Sequence, residues 1–450
     1  MSKAIVFSRD ALPPGPKGTL FGGSLKEIGP RRVDFFLDLA RTYGPLASFR
    51  IGRWRLFLAS DPNLIQQVLV TDAKSYIKHF GARTFKPVLG NGLVTSEGDF
   101  WLRQRRLLQP AFLKAQVQSY APVMAKLTER MLADWSPGKS VNIEFEFSSL
   151  TSAIALKTLF GLDDRGDRKR IDESLRLTFE LLTARLDMPF QLPLWLPIPS
   201  NVKLNRALTE VRQVVDSFIA AGRARPRGND LLSIMIAAQH EDGTGMSDRQ
   251  LRDEAMTLYL AGHETTALTL TWSWYLLSRH PEVEKKLVDE WKSILSGRAP
   301  GADDLASLPY TAAVINESMR LYPPVYVIGR EALVDLELGG YRVKRGYTVL
   351  MSQWVNHRDP KYFPEPEQFL PERWLNGLAS RLPKFAYYPF GGGQRICIGS
   401  HFALMEAAIV LATVGQQYRF TLDPNAVIDI NPQITLPPKY GMPATLQRRR

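Results

Sequence analysis

The chain has 450 residues, enough by length alone for two or three domains. Hydrophobic residues make up 45% and charged residues 23%, which excludes extended disorder, collagen-like repeats and low complexity over most of the length. With 57 Lys and Arg against 45 Asp and Glu the formal charge is +12, which favours an acidic partner: an electron carrier, nucleic acid or an anionic membrane surface. The single cysteine, Cys397, excludes an intrachain disulfide and a zinc site built on cysteines alone, and it suits a reducing cytosol.

Residues 1–12 read as a short flexible tail, because the apolar run 4–7 ends at Arg9 and Asp10 and is too brief for a signal-peptide core or a membrane span. Later apolar stretches such as 407–414 have the length of core helices, so a soluble cytoplasmic protein is expected. Pro13-Pro14-Gly15-Pro16 is a stiff, extended lead-in. Two β-like runs, 46–51 and 54–59, flank Gly52-Arg53 in hairpin fashion. From 62 to 295 the texture is helical, with Leu64, Val68 and Leu69, then Leu107, Leu108 and Phe112, at three- and four-residue spacing. The Pro-rich stretch 190–199 reads as a loop. Strands are expected again over 336–352, with Gly339-Gly340 as a turn, and over 434–446. No composition break marks a linker. The chain therefore reads as one domain over 1–450, mainly α (α+β), with a large helical part and a smaller β-rich part.

The most informative helix starts at Ser247, whose spacing from Gln250 is that of a capping box, and runs to Arg279 before His280-Pro281. At about 1.5 Å per residue this is a rod of almost 50 Å. Its middle, 258–270, is apolar nearly all round and must be buried. That middle nevertheless holds Gly262, His263, Glu264, Thr265 and Thr266. A buried carboxylate costs several kcal/mol unless paired, so local preference and burial conflict there, as they do at functional sites. His263-Glu264 does not open a zinc-protease motif, because the second histidine position is Ala267.

Cys397 follows Phe390-Gly391-Gly392-Gly393-Gln394-Arg395-Ile396 and precedes Ile398-Gly399 and an apolar helical run. A thiolate at a helix start gains from the dipole and from free amides, and glycines let a flat ligand approach the backbone. Arg395 offers a fixed positive charge to an anionic group beside such a ligand. Gly391-Gly392-Gly393 is no dinucleotide fingerprint, since no βαβ unit surrounds it.

The stretch from Phe390 to Gly399 resembles the haem-thiolate signature of the cytochrome P-450 monooxygenases, with Phe390, Gly393, Arg395, Cys397 and Gly399 matching. Ala261-Gly262-His263-Glu264-Thr265-Thr266 resembles that family's oxygen-activation motif. Glu317-Ser318-Met319-Arg320 resembles its Glu-x-x-Arg pair, Pro371-Glu372-Arg373-Trp374 the segment whose arginine completes the pair, and Trp101 with Arg105 its Trp-x-x-x-Arg element. These matches run in family order over essentially the whole chain.

The resemblance implies haem b held by Cys397, with propionates gripped by Trp101, Arg105, Arg395 and Arg330, and dioxygen as co-substrate. It implies proton delivery by the acid–alcohol pair Glu264 and Thr265, with Gly262 leaving space for dioxygen where the helix is locally widened. Glu317, Arg320 and Arg373 would form a buried structural network. The substrate would lie against 79–93, 177–199, Leu260, Ala261 and 325–328. Apolar Phe80, Phe85, Leu182, Val325 and Val327 there point to a terpenoid, steroid, fatty acid or polyketide. Lacking a flavin- or nicotinamide-binding domain, the chain would draw electrons from a ferredoxin or flavodoxin with its reductase, and work as a monomer.

Two other classes compete. A haem gas sensor needs no proton relay, so Glu264 with Thr265 argues against it. A nucleic-acid-binding protein is suggested only by the charge and the terminal Arg448-Arg449-Arg450, and no motif supports it. His79, His240, His280 and His401 have no partner spacing and read as structural or exposed.

Overall fold

The 32-residue helix Asp248–Arg279 is the element around which the others pack. The capping box forms as the sequence predicts: the Ser247 hydroxyl accepts from the Gln250 N–H at 3.3 Å, and the Gln250 side chain accepts from the Ser247 N–H at 2.9 Å. The helix ends where His280 leaves helical geometry and Pro281 starts the next helix, Pro281–Leu295. Its sides pack on Ile143–Phe160, Pro199–Ala224, Pro309–Leu321 and Ser400–Gln417. That surround explains a sequence apolar nearly all round: one core cluster takes Ala267, Leu270 and Trp274, another Ala255, Leu258 and Leu260.

The computed structural model describes residues 11–162, 174, 177–178, 180–185, 193–226, 228–238 and 243–449. Residues 1–10 of the expected tail, 190–192 of the expected loop, His240 and Arg450 lie outside the described residues.

Ten strands are described: β1 (Leu46–Ile51), β2 (Trp54–Ala59), β3 (Tyr76–Lys78), β4 (Ser140–Asn142), β5 (Ile328–Ala332), β6 (Leu336–Leu338), β7 (Tyr341–Val343), β8 (Thr348–Met351), β9 (Tyr418–Leu422) and β10 (Pro443–Arg448). The hairpin β1–β2 has the predicted bounds, with Leu46 opposite Ala59 and Gly52 at φ 53° in the turn. The larger sheet has the order β1-β2-β8-β5-β3, in which β2 and β8 run parallel and the other neighbours antiparallel. The β3–β5 register sets Lys78 opposite Arg330. β4, β10 and β9 form a second sheet, and β6–β7 a hairpin whose turn residues Gly339 and Gly340 both have positive φ.

Two expectations need correction. The helical stretch 62–295 is interrupted by β3 and β4, which are only three residues long and carry no readable alternation. The strand expected over 434–446 begins only at Pro443, because Pro437 and Pro438 have no N–H to give a ladder. The carbonyl of Leu436 instead accepts from the Trp272 indole at 2.8 Å.

Candidate active site

The cysteine loop is built by close backbone packing. Gly393 has φ 66°, and a Cβ there would stand 2.0 Å from the Leu69 carbonyl oxygen; one at Gly392 would stand 2.1 Å from the Phe385 ring. Gly392 and Gly393 thus face protein, whereas a Cβ at Gly391 or Gly399 would meet nothing nearer than 3.8 Å, so the expected close approach of a flat ligand is left to those two. Phe390 packs on the main core cluster, and its carbonyl accepts the Cys397 N–H at 3.0 Å. The Cys397 thiol is open on one side and walled by protein on the others. Burial pushes its pKa up, while the Gly399 N–H donated to the sulfur and the Arg105 guanidinium pull it down. Burial is the larger effect, so the thiol is favoured as it stands, and the Gly399 N–H and Arg105 are the groups that would favour a thiolate there.

Beside this loop lies a cluster of cations. Arg105 donates to the Ile396 carbonyl at 3.0 Å. Arg395 stands with its guanidinium carbon 4.0 Å from the centre of the buried Trp101 ring, donates to the Ser96 carbonyl at 2.8 Å and pairs with Glu97. Arg330 donates to its neighbour's carbonyl, Gly329 O, at 2.9 Å. Burial, then Arg395, lowers its pKa to about 10. Lys78 is lowered to about 7 by burial, Arg395 and Arg330, and His79 to about 4 by burial, Arg330, Arg83 and Lys78. Each group is held down by burial and by the others, with Glu97 and Glu254 as the acids that oppose this. A pair of carboxylates from a ligand would relieve that repulsion. A cysteine sulfur beside a cation cluster of this kind fits haem, with its iron and two propionates.

Sequence reading missed Lys78 and Glu97, and it placed His79 among structural histidines. His79 does have a structural task, since its Nδ1 accepts the Gly81 N–H at 3.2 Å. Its place among the cations follows from the β3–β5 pairing, which no local pattern announces.

On the central helix Ala261 is exposed although 255–260 are buried, so the helix borders open space there. The Thr265 hydroxyl donates to the Ala261 carbonyl at 2.8 Å, and the backbone is α-helical throughout, without the expected local widening. Glu264 accepts from the Thr435 hydroxyl at 2.7 Å; burial raises its pKa, opposed by Thr435 and then His263. Thr266 donates to the Gly262 carbonyl at 3.2 Å and also lies against Glu406, a wholly buried carboxyl that burial holds well above its usual range. Sequence reading passed over Glu406.

Glu317 and Arg320 are fully buried and paired through two bonds of 2.9 and 2.8 Å. Arg373 joins Glu317 at 2.9 Å, and the Trp374 indole and Leu370 N–H complete the carboxylate's shell. Arg320 spends its remaining donors on the His357, Pro366 and Gln368 carbonyls. This is a buried network, not the exposed i,i+3 pair that the spacing alone allows.

Of the expected pocket residues, Phe85, Leu182 and Leu260 share one buried cluster, and Ile398 of the cysteine loop packs against it. Phe80 departs from the expectation: it stacks on Trp54 with ring centres 4.6 Å apart and sides with Val327 in a different cluster. Val325 is half-buried.

Fold and site together define a class: a mainly helical protein in which a single cysteine lies beside a cluster of partly buried cations. The chain matches the cytochrome P-450 family model over residues 13–443 and belongs to that family. It is 37% identical to cyclooctatin synthase of Streptomyces melanosporofaciens over 94% of this chain and 92% of that one. Cyclooctat-9-en-7-ol 5-monooxygenase of the same organism is also 37% identical, over 88% and 87%. Pentalenene oxygenase of Streptomyces avermitilis is 33% identical, over 89% of each. Among solved structures, the haem domain of cytochrome P450DA superposes with a TM-score of 0.88 at 26% identity, covering 98% of both chains. The protein is accordingly a haem b monooxygenase that uses dioxygen. Among the described residues no helix is long and apolar enough to cross a membrane.

Proposed function

We propose that the Cys397 sulfur would hold the haem iron of this monooxygenase, and that Trp101, Arg105, Arg330 and Arg395, joined by Lys78, would hold the haem propionates. Phe390, Gly393 and Gly399 shape the cysteine loop around the sulfur. Haem bound through a cysteine thiolate supplies dioxygen activation, because the thiolate pushes electron density towards O–O cleavage. Thr265 and Glu264 would hold and pass protons to the bound dioxygen, with the Glu264 carboxyl kept near Thr435. The observation that carries this reading is the Gly399 N–H aimed at the Cys397 sulfur next to a cation cluster short of anions.

The substrate in this reading is an apolar small molecule, most of it hydrocarbon. Phe85, Leu182 and Leu260 offer a wall without charge, beside Ala261 on the open helix face and half-buried Val325. The relatives named for pentalenene and cyclooctat-9-en-7-ol support a terpenoid alkene or alkenol. Electrons arrive from a separate acidic ferredoxin or flavodoxin with its reductase, and the protein acts as a cytoplasmic monomer of one domain.

The reduced protein under carbon monoxide tests the ligand assignment. The wild type gives the red-shifted Soret band of a thiolate-ligated haem, and Cys397→Ser loses it. A variant that keeps the band overturns the assignment.

A further inference from the structure

Residues 91–97 are irregular, yet three other elements grip their backbone. Asp253 accepts the Asn91 N–H at 2.7 Å and Glu254 the Leu93 N–H at 3.0 Å, both from the central helix. From β3, Lys78 donates to the Leu93 carbonyl at 3.3 Å and also to that of Val94. From the cysteine loop, Arg395 donates to the Ser96 carbonyl and pairs with Glu97. The approach to the helix is close: a Cβ at Gly92 would stand 2.1 Å from the Thr257 hydroxyl oxygen. Leu93 also sits in the apolar cluster of Phe85, Leu182 and Leu260. The segment therefore touches the pocket wall at one end and the basic cluster at the other.

We propose that Glu254 is a positioning residue which, through the Leu93 N–H, fixes the 91–97 segment and so couples the pocket wall to the basic cluster at the haem edge. The inference rests on reading that cluster as the propionate site. Glu254 is 1% exposed, and among the described residues its second carboxyl oxygen has no hydrogen-bond partner, nor has the neighbouring Thr257 hydroxyl. A carboxyl that served folding alone would be expected to have both oxygens satisfied. Here one oxygen anchors the segment and the other is left to change protonation state.

The charged surroundings put that change near neutrality. Burial raises the Glu254 pKa to about 8, Asp253 adds to the rise, and the Leu93 N–H and Lys78 oppose it. Lys78, which faces Arg395, Arg330, Glu97 and Glu254, is itself lowered to about 7. Ionised Glu254 binds the Leu93 N–H through a charge-assisted bond, roughly twice as strong as the neutral one. Burial is the larger effect, however: releasing the segment hydrates Glu254 and lets its pKa fall back towards the ordinary carboxylate range. The closed segment therefore binds the proton more tightly than the open one and is held more firmly below the midpoint than above it.

Amide hydrogen exchange on the haem-loaded protein tests this, with the chemical pH trend removed. Between about pH 7 and pH 9, either side of the Glu254 midpoint of about 8, protection of residues 91–94 falls several-fold in the wild type. Glu254→Gln keeps an acceptor for Leu93 but cannot ionise, so its protection stays flat with pH. Glu254→Leu loses about tenfold protection at both pH values and binds 4-phenylimidazole about tenfold more weakly. A pH step that survives in Glu254→Gln, or wild-type protection in Glu254→Leu, overturns the proposal. If the leucine variant does not load haem, the glutamine variant decides alone. The carbon monoxide band, read on the same samples, reports the thiolate reading separately.

Discussion

The Glu264 carboxylate accepts the Thr435 hydroxyl at 2.7 Å across 171 residues of sequence. The acid of the helix motif is therefore anchored by the irregular segment that replaces the expected strand before β10. Helix and segment are tied a second time by the bond from the Trp272 indole to the Leu436 carbonyl. Glu264 is kept at the helix surface by a partner that no motif contains.

The first prediction concerns that bond. Burial raises the Glu264 pKa and the Thr435 hydroxyl pulls it down. Thr435→Val should let protonated Glu264 persist to higher pH, because the hydroxyl that favours the charged form is lost. Infrared titration of the carboxyl band, assigned with Glu264→Gln, measures the midpoint. An unchanged or lower midpoint removes Thr435 from this account.

Thr265→Ala keeps the helix, since the hydroxyl bonds only to its own turn at Ala261. Haem content and ligand affinity should therefore stay near wild type. Product formed per reductant consumed should fall about tenfold or more, with the electrons appearing as hydrogen peroxide, if the hydroxyl positions the proton supply. Parallel assays of reductant, product and peroxide decide it, and unchanged coupling would rule the role out.

Glu317 carries the bonds of Arg320, Arg373, Trp374 and the Leu370 N–H. Truncating Glu317 to Ala leaves buried Arg320 without its counter-charge, at a cost of roughly 3–5 kcal/mol, while Arg320→Ala leaves Glu317 with Arg373 as its one remaining cation among the described residues. Little folded holoprotein should form. Arg373 is 10% exposed, so Arg373→Ala should cost less. Expression yield and thermal melting rank the three; equal, wild-type-like melting would mean the network is not needed for the fold.

How much of this was legible depends on the range of the interaction. The β1–β2 hairpin and the capped central helix rest on turn and capping contacts a few residues apart, and the sequence read them with the right bounds. Cys397, Arg395, Trp101 and Arg105, which the fold brings together, could be singled out because the cysteine loop and the helix Gly98–Leu108 are contiguous motifs. Lys78 and Glu97 were missed because their meaning comes from strand register and from Arg395, 298 residues beyond Glu97. Phe80 was misplaced because it opens a four-residue helix, Phe80–Arg83, too short for a pattern to say which way its ring points.

The last prediction concerns electron delivery. Arg105 turns inward to the Ile396 carbonyl and Arg395 to Trp101 and Glu97, whereas Arg103 and Arg106 on the same helix are exposed. Lys384, before the cysteine loop, is exposed as well. The bond from Arg105 to Ile396 holds this helix against the loop that carries the sulfur, so its exposed arginines flank a short path to the thiolate. An acidic carrier approaching there is steered by opposite charge over about 8–10 Å at moderate ionic strength. Raising salt should then slow the first electron transfer, with little effect on ligand affinity. Arg103→Glu or Arg106→Glu should slow it further at low salt, by about tenfold, and flatten the salt dependence. Stopped-flow reduction by a ferredoxin, read at the haem band across a salt series, supplies both observables. A rate indifferent to salt and to both charge reversals would place the carrier on another face or on an apolar contact.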